Sequence, residues 1–107
     1  MTPVRILFST IDSFEVAEKI ANQLVEERLA ACVNIIPKLT SVYKWKGEVE
    51  HASEHLLIIK TVERRLNLLM KRLKELHPYE IPEIIAFPIE QGYLPYLEWV
   101  VSETSDE

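Results

Sequence analysis

Few side chains in this sequence have the types and spacing that chemistry demands, and the best of them are one thiol and one helix-end imidazole. Cys32 is the sole cysteine. As a thiolate it is a soft metal ligand; set between Ala31 and Val33 it is equally a small apolar residue of a buried strand. A single cysteine excludes an internal disulfide and a cysteine-only metal cage within one chain. In His77-Pro78-Tyr79-Glu80 an imidazole at a helix end can ligate a metal, with Glu80 as a carboxylate partner and Tyr79 nearby. The competing role for His77 is a cationic ring that complements the helix dipole. His77, Glu80 and Cys32 are therefore the candidate metal ligands. His51 and His55 share a strand face about 13 Å apart, too far for one mononuclear site, and read as solvated. Lys60, just before Thr61, can receive an anion at a helix start or pair with Glu83 or Glu80.

Catalytic signatures are missing. The sequence holds no Gly-x-Ser-x-Gly, P-loop, Gly-x-Gly-x-x-Gly or His-Glu-x-x-His pattern. Cys32 with His77 is the one nucleophile option, and nothing local activates it. The chain reads as a binding protein and not as an enzyme.

The elements that must position these residues fit one domain over residues 1–107, because 107 residues are too few for two. Hydrophobic residues at 48% and charged residues at 27% give an ordinary globular balance. A net charge of −5 argues against a nucleic-acid surface. The basic cluster Arg64-Arg65 and Lys71-Arg72-Lys74 is interleaved with leucines and reads as a solvated helix face. No apolar run approaches the roughly 20 residues of a membrane span, and no signal-peptide pattern opens the chain. A cytoplasmic protein is expected.

Val4 to Thr10 reads as a buried strand. Asp12 with Glu15 is a capping-box start to a helix carrying Phe14, Ala17, Ala21, Leu24 and Val25 on its apolar face and ending near Arg28-Leu29. Ala31–Ile36 is β-rich, Pro37-Lys38 predicts a bulge, and Thr40–Trp45 resumes the strand. Lys46-Gly47 is the turn, and Glu48–Thr61 returns antiparallel. Thr61 is expected to cap a second helix with Leu66, Leu69, Met70, Leu73 and Leu76 inward, ended by His77-Pro78. Glu83–Ile89 is a fourth strand, and Tyr93, Leu94, Leu97 and Val101 suggest a closing helix begun by Pro95. The tail Glu103–Glu107 is expected to fray.

The order β-α-β-β-α-β plus a terminal helix is α+β, the ferredoxin-like split βαβ arrangement with a long central hairpin. Two features call for a neighbour. The hairpin overhangs a domain of this size, and the sheet face away from the helices is left apolar and wet. Tyr43 and Trp45 on the hairpin, and Trp99 near the end, carry large areas that an intersubunit interface would bury, the alternative for the hairpin pair being a ligand platform.

Five segments, in order, resemble the CutA family. Ala31-Cys32-Val33-Asn34-Ile35-Ile36-Pro37 and Ser41-Val42-Tyr43-Lys44-Trp45-Lys46-Gly47 match its A-C-x-N/T-x-x-P and S-x-Y-x-W-x-G. Leu57-Ile58-Ile59-Lys60-Thr61 matches its I-K-T, His77 to Ile84 its H-P-Y-x-x-P-E, and Tyr96-Leu97-Glu98-Trp99 its Y-L-x-W. The resemblance spans about Val4 to Val101. It implies a homotrimer whose hairpins pair edge to edge between chains, similar in architecture to the PII signalling proteins.

The resemblance also implies divalent-cation (copper) tolerance and a metal-binding protein taking Cu²⁺ or Zn²⁺. In some members the copper ligands are a cysteine at the end of the first strand and two histidines before Pro-Tyr. Ser9 stands at the first of those positions here and Leu76 precedes His77, so two of three ligands differ. The expected site is then an intersubunit cleft lined by His77, Lys60, Tyr79, Glu80, Glu83 and Cys32. The alternative is a trimeric scaffold that docks protein partners without a small ligand, as the anchoring role of eukaryotic members implies.

Overall fold

The computed structural model describes residues 2–106. Its elements are β1 (Val4–Ile11), α1 (Phe14–Glu26), β2 (Cys32–Trp45), β3 (Glu48–Val62), a 3-10 turn (Glu63–Arg65), α2 (Leu66–Leu76), β4 (Ile85–Pro88) and α3 (Leu94–Glu103). One antiparallel sheet runs in the order β2-β3-β1-β4. This is the expected α+β, ferredoxin-like arrangement.

Strand alternation sorts residues to two faces. Leu7, Ile11, Leu57 and Ile59 pack under α1 (Ala17, Ile20, Leu24) and α2 (Leu69, Leu73) in the main core. Val4 and Val62, register partners on the opposite face, form a second cluster with Ala31, Leu97 and Val100. α3 therefore covers one end of the face that the sequence leaves open. Beyond it Ile36, Ile85 and Phe87 remain 47%, 53% and 38% exposed, with Phe87 edge-on to Phe8.

The hairpin is as long as the sequence predicts. Lys46 and Gly47 both adopt positive φ (52° and 86°), the two left-handed residues of a tight hairpin turn. The register slips between Ile36 and Leu39, with Lys38 at φ 62°, which is the bulge at Pro37-Lys38. β1 pairs with β3 only as far as His55. From Leu39–Glu54 to Trp45–Glu48 the arm is two-stranded. It stretches the molecule to 44 × 26 × 22 Å and its radius of gyration to 14.4 Å, against about 13 Å for a compact chain of this length.

Local expectations are corrected where side chains found better partners. Ser13, not Asp12, caps α1, accepting from the Val16 N–H at 3.2 Å. Ile20 is buried on α1 while Phe14 and Val25 are exposed, Phe14 lying edge-on to His55. Thr61 is a buried β3 residue whose hydroxyl donates to Leu29 O at 2.6 Å, so α2 starts through the 3-10 turn without a side-chain cap. β4 is four residues long rather than seven, and Val100, not Val101, faces inward from α3.

The tail is held rather than frayed as far as Asp106; Glu107 lies outside the described residues. Thr104 O accepts from Arg64 and Arg65 at 2.9 and 2.8 Å, and both arginines pair with Asp106. Arg72 clasps Glu27 across the helix pair at 3.0 Å. Much of the basic cluster is therefore engaged and not simply solvated.

Candidate functional site

Along the hairpin, from Glu54 near its root to Trp45 beside its turn, a cleft of about 640 Å³ opens between the arm and the segment linking α2 to β4. Each side is placed by ordinary chain logic. Ser41, Tyr43 and Trp45 follow one another at alternate positions of β2; on β3 Ala52 is the partner of Ser41, and Glu54, the partner of Leu39, lies one alternate position nearer the hairpin's base. Thr10 and Asp12 come from the end of β1 and the turn that Ser13 closes. Tyr79, Glu80, Ile81 and Glu83 come from the stretch after Pro78 has stopped α2.

That stretch is pinned by His77. Its Nε2–H donates to Thr10 O at 2.9 Å, and its Nδ1 accepts from the Tyr79 N–H at 3.2 Å. The two bonds fix one neutral tautomer. His77 is 5% exposed, and burial holds its pKa below the ordinary imidazole value, outweighing the Thr10 carbonyl and the Glu54 and Asp12 charges that favour the cation. Both nitrogens are occupied, so His77 as placed presents no lone pair to a metal. It is also not a cationic dipole partner.

Tyr79 stacks edge-on to His77, centroids 4.6 Å apart, and its hydroxyl donates to Glu54 Oε2 at 2.7 Å. Burial first, then the hydrogen bond to Glu54, pushes the phenol far above its ordinary pKa. Tyr79 is therefore a permanent neutral donor at physiological pH.

Glu54 is only 5% exposed, yet it has no salt-bridge partner among the described residues. No Lys, Arg or His lines the cleft, while Asp12, Glu80 and Glu83 join Glu54 there. A buried carboxylate without a cation is costly, and the site is poised to accept positive charge.

The structure brings together half of the residues singled out from sequence. Tyr79, Glu80 and Glu83 line the cleft, as do Tyr43 and Trp45, which stay 45% and 38% exposed. Lys60 and Cys32 are elsewhere. They are register partners of each other, and Lys60 is opposite Ile6, four residues along β1 from Thr10, a separation of about 13 Å. Lys60 donates to Asn34 Oδ1, with Cys32 Sγ 3.8 Å from the same oxygen. It pairs with neither Glu80 nor Glu83.

The set His77, Glu80 and Cys32 is therefore not assembled within one subunit, and among the described residues no group of three or more His, Cys, Asp or Glu side chains could hold one metal ion. Trp99 is remote from the cleft, 43% exposed on α3 and 5.6 Å from Tyr96.

Sequence reasoning missed Glu54 and Asp12. Glu54 hid among polar hairpin-tip residues, although strand alternation puts it in line with Leu56 and Ile58. Asp12 was absorbed into a capping role that Ser13 fills.

Comparison with known proteins bears on this arrangement. The "Divalent-cation tolerance protein CutA" of Thermus thermophilus is 52% identical over 99 residues, covering 92% of this chain and 96% of that protein. Human "Protein CutA" is 50% identical over 97 residues, 91% of this chain, but this chain spans only 54% of the human protein's length. The crystal structure of CutA from Xylella fastidiosa superposes with a TM-score of 0.95 at 41% identity, covering 97% of this chain and 100% of that one. A structure from Archaeoglobus fulgidus described as a periplasmic divalent cation tolerance protein gives 0.92 at 37% identity, covering 95% and 99%. The Thermus and Archaeoglobus names state a divalent-cation tolerance role, and none of the four names a reaction. Residues 5–103 match the family described as "CutA1 divalent ion tolerance protein", and with its full complement of elements and this breadth of identity the chain belongs to that family.

Proposed function

We propose that the chain acts as a cytoplasmic homotrimer that takes up a divalent cation, copper or zinc, at clefts completed between subunits, as a binding protein and not a catalyst. The observation that carries this reading is the cleft's charge: four carboxylates, one of them buried, and no basic side chain. A divalent ion would neutralise that charge, and the tolerance role named for the relatives is of the same chemistry. Glu80 and Glu83, exposed on the rim, are the ligands this chain offers. Copper and zinc prefer nitrogen or sulfur donors, so a neighbouring copy is the source of the remainder.

Assembly has its own support in the exposed Val42, Tyr43 and Val49 of the arm, since a two-stranded hairpin is marginal alone. For location, no helix among the described residues is long and apolar enough to cross a membrane.

Calorimetric titration of Cu²⁺ and Zn²⁺, with mass in solution measured in parallel, tests this reading. Wild type should bind one ion per subunit as a trimer, and Glu80→Gln should weaken binding at least tenfold. His77→Ala should lose stability while keeping affinity. Binding that survives Glu80→Gln but vanishes in His77→Ala would restore the imidazole as ligand and sink the carboxylate reading.

A further inference from the structure

Part of the basic cluster, which the cleft does not use, builds a seat of its own at the other end of the sheet. Val4 and Val62 pair there, six residues along β1 from Thr10 and about 20 Å away. Arg64 and Arg65 close the 3-10 turn side by side. Arg64 Nη2 and Arg65 Nε both donate to Thr104 O, at 2.9 and 2.8 Å. Thr104 is fully buried, and its own hydroxyl donates to Val100 O at 2.9 Å. A carbonyl at the end of α3 therefore fixes two guanidiniums, and each keeps further donors in its planar fork. Those donors meet on one atom: Arg65 Nη2 bonds Asp106 Oδ1, and Arg64 Nη1 lies 3.6 Å from the same oxygen.

Asp106 is loosely held. Its side chain is 76% exposed, and an exposed ion pair contributes little. Its carboxylate shows what the arginine pair recognises, while Thr104 supplies the preorganisation whether or not Asp106 is in place. Beside the seat is a hollow of about 410 Å³, within the 300–1,000 Å³ typical of small-molecule sites. Pro3, Val62 and Val101 give it apolar walls, and Arg64 stands at its edge. Glu63 is the one acid that lines it, and Glu63 is turned to Arg5 at 3.0 Å. Arg64 thus belongs to both features, with carboxylate donors on one side and an apolar hollow on the other.

We infer that Arg64 and Arg65 form a binding site for a small alkyl carboxylate, whose carboxylate displaces that of Asp106 and whose chain lies in the hollow against Val62 and Val101. The tail is then an internal competitor that closes the seat when no such ligand is present. The inference goes beyond the divalent-metal reading and does not rest on it. The ligand has the opposite charge, and the two sites share no residue.

The test is titration of the intact wild-type protein with sodium hexanoate at constant ionic strength. Calorimetry and the NMR shifts of the Val62 and Val101 methyls and the Asp106 amide are the readouts. Sodium acetate and hexan-1-ol are the comparison probes. The expected result is one hexanoate per subunit, shifted methyls at both valines, and movement of the Asp106 amide as the tail leaves. Acetate, without the chain, and hexan-1-ol, without the charge, should each bind at least fivefold weaker. Asp106→Asn removes the competitor at an exposed position and should tighten hexanoate severalfold. Arg64→Gln, at a side chain 50% exposed, should weaken it at least fivefold, and neither change disturbs the core.

The inference is overturned if wild type gives neither heat nor methyl shifts. Equal binding of hexan-1-ol would also overturn it, by showing an apolar hollow with no charge seat. So would an affinity for hexanoate that stays unchanged in Asp106→Asn or in Arg64→Gln. Cu²⁺ or Zn²⁺ uptake in a protein that ignores hexanoate defeats this inference alone; hexanoate binding without metal uptake defeats the metal reading alone.

Discussion

The two ends of β3 show one strand in two environments. At its base Leu57 and Ile59 are fully buried between β1 and the helices. At its tip Val49 is 60% exposed, and Val42, diagonal to it on the paired strand, is 61% exposed. Both ends are antiparallel ladders with apolar side chains, so backbone pairing does not distinguish them. What differs is the number of layers. The base has a neighbouring strand on each side and helices above, whereas the arm outruns β1 at His55 and has only its own two strands. The base is stable by its own packing, and the arm's stability depends on what it touches next.

The largest expected effect lies at the base. Leu57→Ala removes a fully buried side chain from the main core and should destabilise the subunit by about 2–5 kcal/mol. Val49→Ala, at the other end of the same strand, should leave subunit stability within about 0.5 kcal/mol. Chemical denaturation of both variants, at concentrations that hold assembly constant, checks the contrast. Equal losses would show the arm to be as firmly packed as the base.

Trp45→Ala is the next step down and moves the effect from folding to association. The ring is 38% exposed and should contribute about 2–4 kcal/mol as an interface anchor. Light scattering across a dilution series should show the variant dissociating where wild type stays whole. An unaltered mass with unchanged melting would place Trp45 in the cleft wall alone.

Legibility followed the same division. The base, the hairpin turn and the bulge were readable because each has a local cause: alternation in Val4–Thr10, the Lys46-Gly47 pair, and Pro37 interrupting a β-rich run. Helix starts were not, because Asp12 and Ser13 are both good caps, and Thr61 was claimed by the Leu29 carbonyl from 32 residues away. The candidate site was half legible. Tyr79, Glu80 and Glu83 stand out beside the His-Pro step. Glu54 becomes notable only when the fold encloses it next to Tyr79, and the distance of Cys32 and Lys60 from Tyr79 is set by strand register. That register follows from long-range pairing, not from spacing along the chain.

The smallest expected effect is a proton at the joint between the two regions. His77 is buried where α2 meets the cleft, with its pKa depressed chiefly by desolvation and further by Lys74, against the opposing pull of Thr10 O, Glu54 and Asp12. The unfolded chain, with an imidazole near 6.5, binds a proton that the folded chain refuses. Stability therefore rises with pH between the folded and unfolded pKa values, is fully present above about 6.5, and declines as the medium is acidified below it. The slope should reach at most one proton. His77→Gln should flatten this part of the stability–pH curve while lowering the plateau, because the amide cannot reproduce both the bond to Thr10 and the bond from Tyr79. The arm should show no such dependence: Trp45 fluorescence of the assembled protein should hold steady over the same interval in which denaturation midpoints of wild type fall. A slope that persists in His77→Gln would move the titrating group off the joint and onto the exposed acids of the cleft.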